Sequence, residues 1–322
     1  MAILVTGAAG FIGSSLVDAL LKDGKNVIGI DNFSDFYARE IKERDLSRAR
    51  QNDNFKFYEI DLCDAAALKT VFDANDIETV VHLAARAGVR PSIERPVDYC
   101  QTNIIGSINL LEEMRSHNLH KLVFASSSSV YGNCKAEIFT EDLKVTEPIS
   151  QYAATKSAME QFCYTYHKLY DINTICLRFF TVYGPRQRPD LAIHKFTRLI
   201  DEGKAIPMFG DGSTKRDYTY IDDIVSGIKA AIAYDKTSYE IVNLGGGEPV
   251  NLKRMIAEIE NALGKTAIID RKPMQQGDVE KTVAGIEKAR KLFGYNPQTD
   301  FVHGIAKFVE WYKQNKLRET NE

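Results

Sequence analysis

The stretch Thr6-Gly-Ala-Ala-Gly-Phe-Ile-Gly13 constrains the fold more than any other part of this 322-residue chain. It follows an apolar run at residues 2–5 and precedes an amphipathic helical pattern. This order predicts a strand, a tight turn and a helix. Gly7 and Gly10 let the backbone approach a pyrophosphate, and Gly13 lets the helix pack closely on the sheet. The predicted dinucleotide contacts in this stretch are Gly7, Gly10, Phe11, Ile12 and Gly13.

The acid after the second predicted strand indicates which dinucleotide binds. The apolar run 26–30 ends in Asp31, about 20 residues after the turn, where a carboxylate accepts hydrogen bonds from both ribose hydroxyls. Asp31 would repel a 2′-phosphate, so NAD is favoured over NADP. For Asp61, which follows the third strand, a helix N-cap is the alternative. The further predicted cofactor contacts are Asn32, Asp61, Leu62, Leu83, Ala84, Ala85, Asn103, Tyr152 and Lys156.

Strand-like runs recur along the chain, at residues 55–59, 79–83, 121–125 and 174–178, with helical patterns between them. This alternation predicts an α/β fold with a Rossmann-type doubly wound parallel sheet. We expect an NAD-binding domain of residues 1–181, with 218–246 returning to it. Residues 182–217 and 247–322 are then expected to form a smaller α/β substrate-binding domain.

Composition excludes several classes of function. The net charge of −3 is spread along the chain, so no basic face for nucleic acid or an acidic membrane is expected. No run approaches the ~20 apolar residues of a membrane span, and the N-terminus lacks a basic leader. The five cysteines form no CxxC pair and the six histidines form no cluster, which favours a reducing cytoplasm and no metal site.

A Tyr-x-x-x-Lys pair places a phenol and an ammonium on one helical face, where the ammonium lowers the phenol pKa and favours a base. The pair occurs four times, beginning at Tyr131, Tyr152, Tyr164 and Tyr312. Tyr131 lies in a turn, Tyr312 lies on a C-terminal helix, and Tyr164 lies about three turns beyond Tyr152. Only Tyr152 opens its helix directly after a polar loop, so Tyr152 and Lys156 are the predicted catalytic pair.

Together, the glycine turn, the serine-rich stretch 125–132 and the Tyr152/Lys156 pair resemble the nucleotide-sugar branch of the extended short-chain dehydrogenase/reductase superfamily. The resemblance covers essentially the whole chain and continues at 178–185, 210–223 and 243–246. It implies a UDP-sugar lying across the smaller domain, with Arg216 at the diphosphate. It also implies a homodimer formed by the helical stretches 103–116 and 152–171, although packing of both stretches on the sheet explains their apolar stripes equally well.

Several details are similar to UDP-glucuronate 4-epimerases: the stretches 31–37, 87–92, 188–192 and 275–278, with Thr181 where many relatives carry Asn. In the implied reaction, Tyr152 takes the proton of the sugar 4-OH while C4 gives hydride to NAD. The transient 4-keto sugar then rotates and takes the hydride back, converting UDP-glucuronate to UDP-galacturonate. Ser127 matches the residue that hydrogen-bonds the 4-oxygen. The implied substrate contacts are Ser128, Ser129, Thr181, Arg188, Arg90, Phe209, Arg216 and Asp278.

Other reactions remain alternatives to this one. A UDP-glucuronate decarboxylase or a 4,6-dehydratase typically carries acids where this chain has Ser128 and Ser129, which argues against both. A UDP-glucose or UDP-N-acetylglucosamine 4-epimerase would make Arg188 a structural residue, and an NAD-sensing protein would have lost catalysis. Hydrogen bonding to the strand-end backbone is the alternative for Ser128 and Ser129, and Ser126 is expected to line the cofactor side.

Overall fold

This computed structural model describes residues 1–273 and 281–319. The described residues contain twelve strands, numbered along the chain: β1 (Ala2–Thr6), β2 (Val27–Asp31), β3 (Phe55–Glu59), β4 (Ile77–His82), β5 (Lys121–Ser127), β6 (Asn173–Phe179), β7 (Thr181–Tyr183), β8 (Ala205–Phe209), β9 (Lys215–Tyr220), β10 (Tyr239–Leu244), β11 (Pro249–Asn251) and β12 (Ile268–Lys272). They form three sheets of very different size.

The helices alternate with these strands through most of the chain. They are α1 (Phe11–Lys22), α2 (Arg39–Leu46), α3 (Ala65–Asp73), α4 (Val89–Glu94), α5 (Pro96–Cys100), α6 (Ser107–Ser116), α7 (Gln151–Tyr170), α8 (Ala192–Asp201), α9 (Ile221–Ala233), α10 (Leu252–Leu263), α11 (Glu287–Phe293) and α12 (Phe301–Glu319). A π-helical segment, Gln101–Gly106, joins α5 to α6, and 3₁₀ turns occupy Ala49–Gln51 and Ser128–Tyr131.

The largest sheet has seven parallel strands in the order β10-β6-β5-β4-β1-β2-β3. The strand order reverses at β1, which pairs with both β2 and β4, and ligands of such sheets bind outside the carboxyl ends at this point. Thr6 of β1 pairs with Ile30 of β2 on one side and with His82 of β4 on the other. The predicted Rossmann-type α/β fold is therefore confirmed.

Both faces of this sheet are buried, because alternate residues of each strand enter two separate cores. In β1, Ile3 and Val5 pack with Leu16 of α1, whereas Leu4 packs with Leu68 of α3. Helices α1 and α9 contact each other, as do α6 and α7. Strands of this kind read as nearly continuous apolar runs, which is why the sequence located them.

The remaining strands form a second layer over the carboxyl edge. Strands β11, β9 and β7 make one small sheet, and β12 pairs with β8 in another. The strands of these sheets come from residues 181–272, whereas β10 returns to the large sheet beside β6. The exact domain boundaries stay predictions. Within the described ranges, no helix is both long enough and apolar enough to cross a membrane.

Candidate active site

A cleft of about 520 Å³ opens at the carboxyl edge of the large sheet, a volume suited to a small-molecule or cofactor site. It extends from the glycine turn to the serine-rich end of β5. The predicted site residues that line it are Gly7, Gly10, Phe11, Ile12, Gly13, Asp31, Asn32, Asp61, Leu62, Leu83, Ala84, Ala85, Ser127, Ser128, Ser129, Tyr152, Lys156, Thr181, Arg188 and Arg216. Folding thus brings most of the predicted contacts to one cleft.

Three predicted contacts within the described residues are not among those that line the cleft. Asn103 is buried behind the cleft wall, where its side chain accepts from Arg86 N at 2.8 Å and donates to Arg86 O at 3.0 Å. The Arg90 guanidinium stacks 5.4 Å from the centre of the Phe209 ring, and neither residue is among those lining the cleft. Asp278, like Gln275, lies outside the described residues. Direct ligand contact by these residues stays a prediction.

The glycine turn packs backbone against backbone. A Cβ atom on Gly13 would lie 2.0 Å from Gly7 O, and one on Gly7, whose φ is +69°, would lie 2.8 Å from Ala84 N. Gly10 is the N-cap residue of α1 and has no side chain to accept a hydrogen bond. The first N–H groups of α1, at the edge of the cleft, therefore have no side-chain cap. This arrangement fits the phosphates of a dinucleotide.

Carboxylates line the other side of the turn. Asp31 accepts from Ala9 N at 3.0 Å and from Phe33 N at 2.9 Å, which ties β2 to the glycine turn. Burial raises the pKa of Asp31, and these backbone hydrogen bonds oppose that shift. Carboxylates at this position suit free ribose hydroxyls and oppose a 2′-phosphate, so the residues fit NAD.

Asp61 closes this end of the cleft. Its carboxylate accepts from Asn32 Nδ2 at 2.8 Å and from Cys63 N at 2.8 Å. The alternative of a helix N-cap at Asp61 is wrong, because α3 is capped by Asp64, which accepts from Ala67 N at 3.0 Å. Asp61 is therefore held facing the cleft by a turn rather than by a helix.

Tyr152 lies in the first turn of α7 because Ser150 caps that helix, accepting from Ala153 N at 3.1 Å. Ser127 lies beside the hydroxyl of Tyr152 and lowers its pKa. Ser127 Oγ accepts from Ser129 Oγ at 2.8 Å and from Ser129 N at 3.2 Å. Its own hydrogen is thus left to donate to the phenolic oxygen, which favours the phenolate.

Burial dominates the electrostatics of the predicted pair. Burial raises the pKa of Tyr152, and the influences that lower it are the Ser127 hydrogen bond and the charge of Arg188. Lys156 is buried and donates to Ala125 O at 2.7 Å, and burial lowers its pKa to about 8. The lowering of the phenol pKa by Lys156 stays a prediction: its ammonium donates to the β5 carbonyl, and the influences that lower the pKa of Tyr152 here come from Ser127 and Arg188.

The four consecutive serines begin in β5, continue into the 3₁₀ turn that follows, and differ in their contacts. Ser126 is among the residues that line the cleft, but its hydroxyl donates to Glu160 Oε1 at 2.5 Å. The same carboxylate is paired with buried Arg178, at 2.9 and 2.7 Å. Ser126 was expected to line the cofactor side of the cleft, but its hydroxyl is bonded to Glu160 instead. Ser127, Ser128 and Ser129 face the cleft beside Tyr152.

Two arginines reach this end from the second layer. Arg188 follows β7, pairs with Asp190 through Nε at 3.0 Å and Nη2 at 2.8 Å, and lies 4.6 Å over the Phe36 ring. Arg216 lies on β9 and lines the same cleft, with Nη1 donating to Lys215 O at 2.9 Å. The charge of Arg188 reaches Tyr152, whose pKa it lowers.

Sequence reasoning did not assign several residues that line the cleft. Phe36 and Tyr37 belong to the loop after β2, and Lys42, from the helix that follows, lies 4.6 Å from the centre of the Tyr37 ring. Lys42 is buried and donates to Ser34 O at 2.5 Å. The sequence signal for these contacts is the stretch 31–37, whose similarity to UDP-glucuronate 4-epimerases indicates the substrate type. Arg86 also lines this wall.

Comparison with known proteins gives consistent matches over the whole fold. The family described as GDP-mannose 4,6 dehydratase matches residues 4–308. A UDP-glucuronate 4-epimerase of Thermodesulfobacterium geofontis is 46% identical, over 97% of this chain and 96% of its own.

Solved structures give the same picture. UDP-glucuronic acid 4-epimerase from Bacillus cereus, in complex with UDP-glucuronic acid and NAD, superposes with a TM-score of 0.92 at 38% identity, covering 98% of this chain and 100% of that one. UDP-glucose 4-epimerase from Thermotoga maritima, with UDP-glucose, superposes with a TM-score of 0.90 at 32% identity and the same coverage.

Proposed function

The chain belongs to the NAD-dependent epimerase/dehydratase family, and from this premise we propose that it converts UDP-glucuronate to UDP-galacturonate. Its relatives are UDP-sugar 4-epimerases, which are isomerases. NAD bound along the glycine turn and Asp31 supplies the reversible oxidation of sugar carbon 4. The protein contributes binding, orientation and proton transfer.

One observation supports a uronate over a neutral sugar. Arg188 reaches from the second layer to the serine-rich end of β5, where its charge acts on Tyr152. A guanidinium offers N–H groups in a planar fork that suits a carboxylate. Ser128 and Ser129 lie at the same end; Ser128 offers a hydroxyl donor, and Ser129 Oγ becomes one when it exchanges its bond to Ser127 for the carboxylate. Together they form a site for the C6 carboxylate.

The proton step falls to Tyr152. Ser127 donates to its oxygen, and Arg188 adds positive charge, so both favour the phenolate that accepts the 4-OH proton. Lys156, fixed on Ala125 O, is a buried cation below this site and is predicted to bind the cofactor. Rotation of the 4-keto sugar before reduction then inverts C4.

The carboxylate must survive the 4-keto stage, because a β-keto acid readily loses CO₂. The positions at the end of β5 hold hydroxyls rather than a carboxylic acid, so they offer no acid–base group at neutral pH. Hydrogen bonds from Ser128, Ser129 and Arg188 would fix the orientation of the C5–C6 bond. This absence of an acid supports epimerisation over decarboxylation and over dehydration.

A substrate panel tests the proposal. Purified full-length protein with NAD is given UDP-glucuronate, UDP-glucose and UDP-N-acetylglucosamine, and products are identified by NMR. We expect the highest kcat/KM for UDP-glucuronate, with UDP-galacturonate as product. A pentose product, or equal or better turnover of the neutral sugars, would overturn the assignment.

Arg188 gives a sharper version of the same test. The Arg188→Ala variant loses the charged partner of the carboxylate, and charged hydrogen bonds contribute about 1.5–3 kcal/mol, so KM for the uronate should rise about 10- to 100-fold. KM for UDP-glucose should change little. Arg198→Ala, which removes an exposed arginine of α8 paired with Glu202, is the matched control. An equal effect on both sugars would remove the assigned role.

We also propose that the protein is a homodimer. Exposed apolar side chains cluster on α7 and on the helical segments that precede α6: Ile93, Val97, Ile105, Phe162, Tyr164, Leu169 and Tyr170. Leu169 is 64% exposed and Val97 75%, which is unusual for a face with no partner.

All five cysteines are free thiols, which supports the predicted cytoplasmic location.

Light scattering after size exclusion tests the dimer. Leu169→Glu should shift the mass from two chains toward one, because a charge would be buried in an apolar contact. Ile268→Glu, on the separate two-stranded sheet, places the same charge at another exposed aliphatic residue and should leave the dimer intact. A monomeric wild-type chain would contradict the proposal.

A further inference from the structure

His82 is a buried titratable residue for which the reaction has no evident use. It ends β4, is 3% exposed, and lies level with Thr6 in the register of β4 against β1. Its Nδ1 lies 2.7 Å from Thr6 Oγ1, and its Nε2 lies 2.8 Å from Ser107 Oγ. Both ring nitrogens are therefore engaged by hydroxyl groups of other elements.

The neighbouring hydrogen bonds fix which nitrogen carries the proton. Ser107 donates its only hydroxyl hydrogen to Asn103 O at 2.7 Å, so it must accept from His82 Nε2. Thr6 Oγ1 accepts from Ala84 N at 3.2 Å and keeps its hydrogen for His82 Nδ1. The ring is thus neutral, with hydrogen on Nε2. Burial and the charge of Lys156 lower its pKa to about 3, in agreement.

The chain of hydrogen bonds continues on both sides of His82. Asn103 Nδ2 donates to Thr155 Oγ1 at 3.1 Å, and Thr155 donates to Tyr152 O at 2.8 Å. At the other end, Ala84 packs against Gly7, where no Cβ atom would fit. We call five residues, each 3% exposed or less, the buried relay: Thr6, His82, Ser107, Asn103 and Thr155.

We propose that His82 is a positioning residue whose buried relay holds the cofactor turn and the first turn of α7 in fixed relation, so that the cofactor and Tyr152 meet at one sugar carbon. The inference rests on the proposed function. The relay crosses from β1 to β4, then to the π-helical segment, and then to α7. The π-helical winding places Asn103 where its backbone and side chain serve two different partners.

Graded substitutions test this role. Thr6→Val and Ser107→Ala remove one hydroxyl each, and His82→Phe removes both ring contacts. We expect kcat to fall about tenfold in each, with KM for the UDP-sugar within threefold of wild type, because misplacement affects the reacting geometry. In the His82→Phe background, Thr6→Val and Ser107→Ala should have little further effect.

The matched control is Thr174→Val, which removes another fully buried threonine hydroxyl of the same sheet, bonded to Ile172 O at 3.1 Å. It should lower Tm and leave kcat unchanged. If Thr6→Val and Ser107→Ala likewise lower Tm alone, the relay is merely structural and the proposal is overturned.

A measurement without substrate keeps the test independent of the proposed reaction and of the folding of His82→Phe. In ¹⁵N-histidine NMR of the full chain, one of the six histidines should show hydrogen on Nε2 and a bare Nδ1 from pH 5.5 to 8.5. Its Nδ1 signal should move in Thr6→Val. If no histidine shows this tautomer, or if all of them titrate between pH 5.5 and 7, the buried relay is contradicted. A histidine with the expected tautomer in a protein without epimerase activity would instead contradict the proposed function.

Discussion

The two ends of the cleft are built in different ways. At the end that fits adenosine and pyrophosphate, the glycine turn and Asp31 come from the first two strands, and backbone groups make the decisive contacts. At the sugar end, β5 provides hydroxyls and the second layer provides Arg188 and Arg216. One end is close-packed backbone, whereas the other is side chains converging from separate elements.

The two ends of the cleft therefore differ in how far their residues can be replaced. A turn in which a methyl group would lie 2.0 Å from a carbonyl oxygen tolerates almost no change. The sugar end can exchange one side chain for another without disturbing the sheet. Cofactor binding therefore depends on close backbone packing and on the Asp31 carboxylate, and we propose that sugar choice depends on a few exchangeable side chains.

The largest effect is expected at the sugar end. Tyr152→Phe removes the proton acceptor, and general-base catalysis contributes about 10²- to 10⁴-fold, so kcat should fall by about that factor. NAD retention should persist, because the glycine turn is untouched. Tyr164→Phe is the control, since it alters another Tyr-x-x-x-Lys pair of α7, and Tyr164 is 48% exposed. Comparable losses in both variants would contradict the assignment of Tyr152.

The turn itself can be broken at two neighbouring positions. Gly13→Ala drives a methyl group into Gly7 O and should destabilise the fold and abolish NAD binding. Gly10→Ala places its Cβ 3.2 Å from that oxygen, so the fold should persist while NAD affinity drops. Urea unfolding and NAD titration separate the two effects. Equal stability of both variants would show that the turn is less tightly packed than described.

A smaller effect is expected at Asp190, which occupies two N–H groups of Arg188. Asp190→Asn removes a negative charge that competes with the substrate carboxylate, so KM for UDP-glucuronate should fall about tenfold, in line with one charged hydrogen bond. KM for UDP-glucose should not change. Asp211→Asn, another exposed loop acid of the second layer, is the control. A rise in KM would mean that Asp190 orients Arg188 instead.

The smallest effect concerns stability between pH 6.5 and 5.5. In the unfolded chain His82 has a pKa of about 6.5, whereas in the fold its pKa is lowered to about 3. Below pH 6.5 only the unfolded state binds this proton, so falling pH destabilises the fold, by about 1 kcal/mol over this interval. Urea unfolding of wild type and His82→Phe at both pH values isolates the contribution. Identical pH dependence would show that His82 titrates in the fold as it does in the unfolded chain.

Sequence reasoning was most successful where structure is local. Apolar runs and glycines located β1, α1 and β2, and the spacing to Asp31 fixed the cofactor end. The electrostatics of Lys156 could not be read from the i, i+4 spacing, because its partner is a carbonyl of β5, 31 residues away. The partners of Asn103 and Ser126 likewise depend on packing between distant elements.

In the proposed reaction, the configuration at carbon 4 is inverted while carbon 6 is kept. Turnover of UDP-glucuronate labelled with deuterium at C4 and ¹³C at C6 tests it most directly, with products followed by NMR and released CO₂ measured. We expect UDP-galacturonate that retains both labels, with no labelled CO₂. Labelled CO₂ with a pentose product, or loss of the C4 deuterium to solvent, would contradict it.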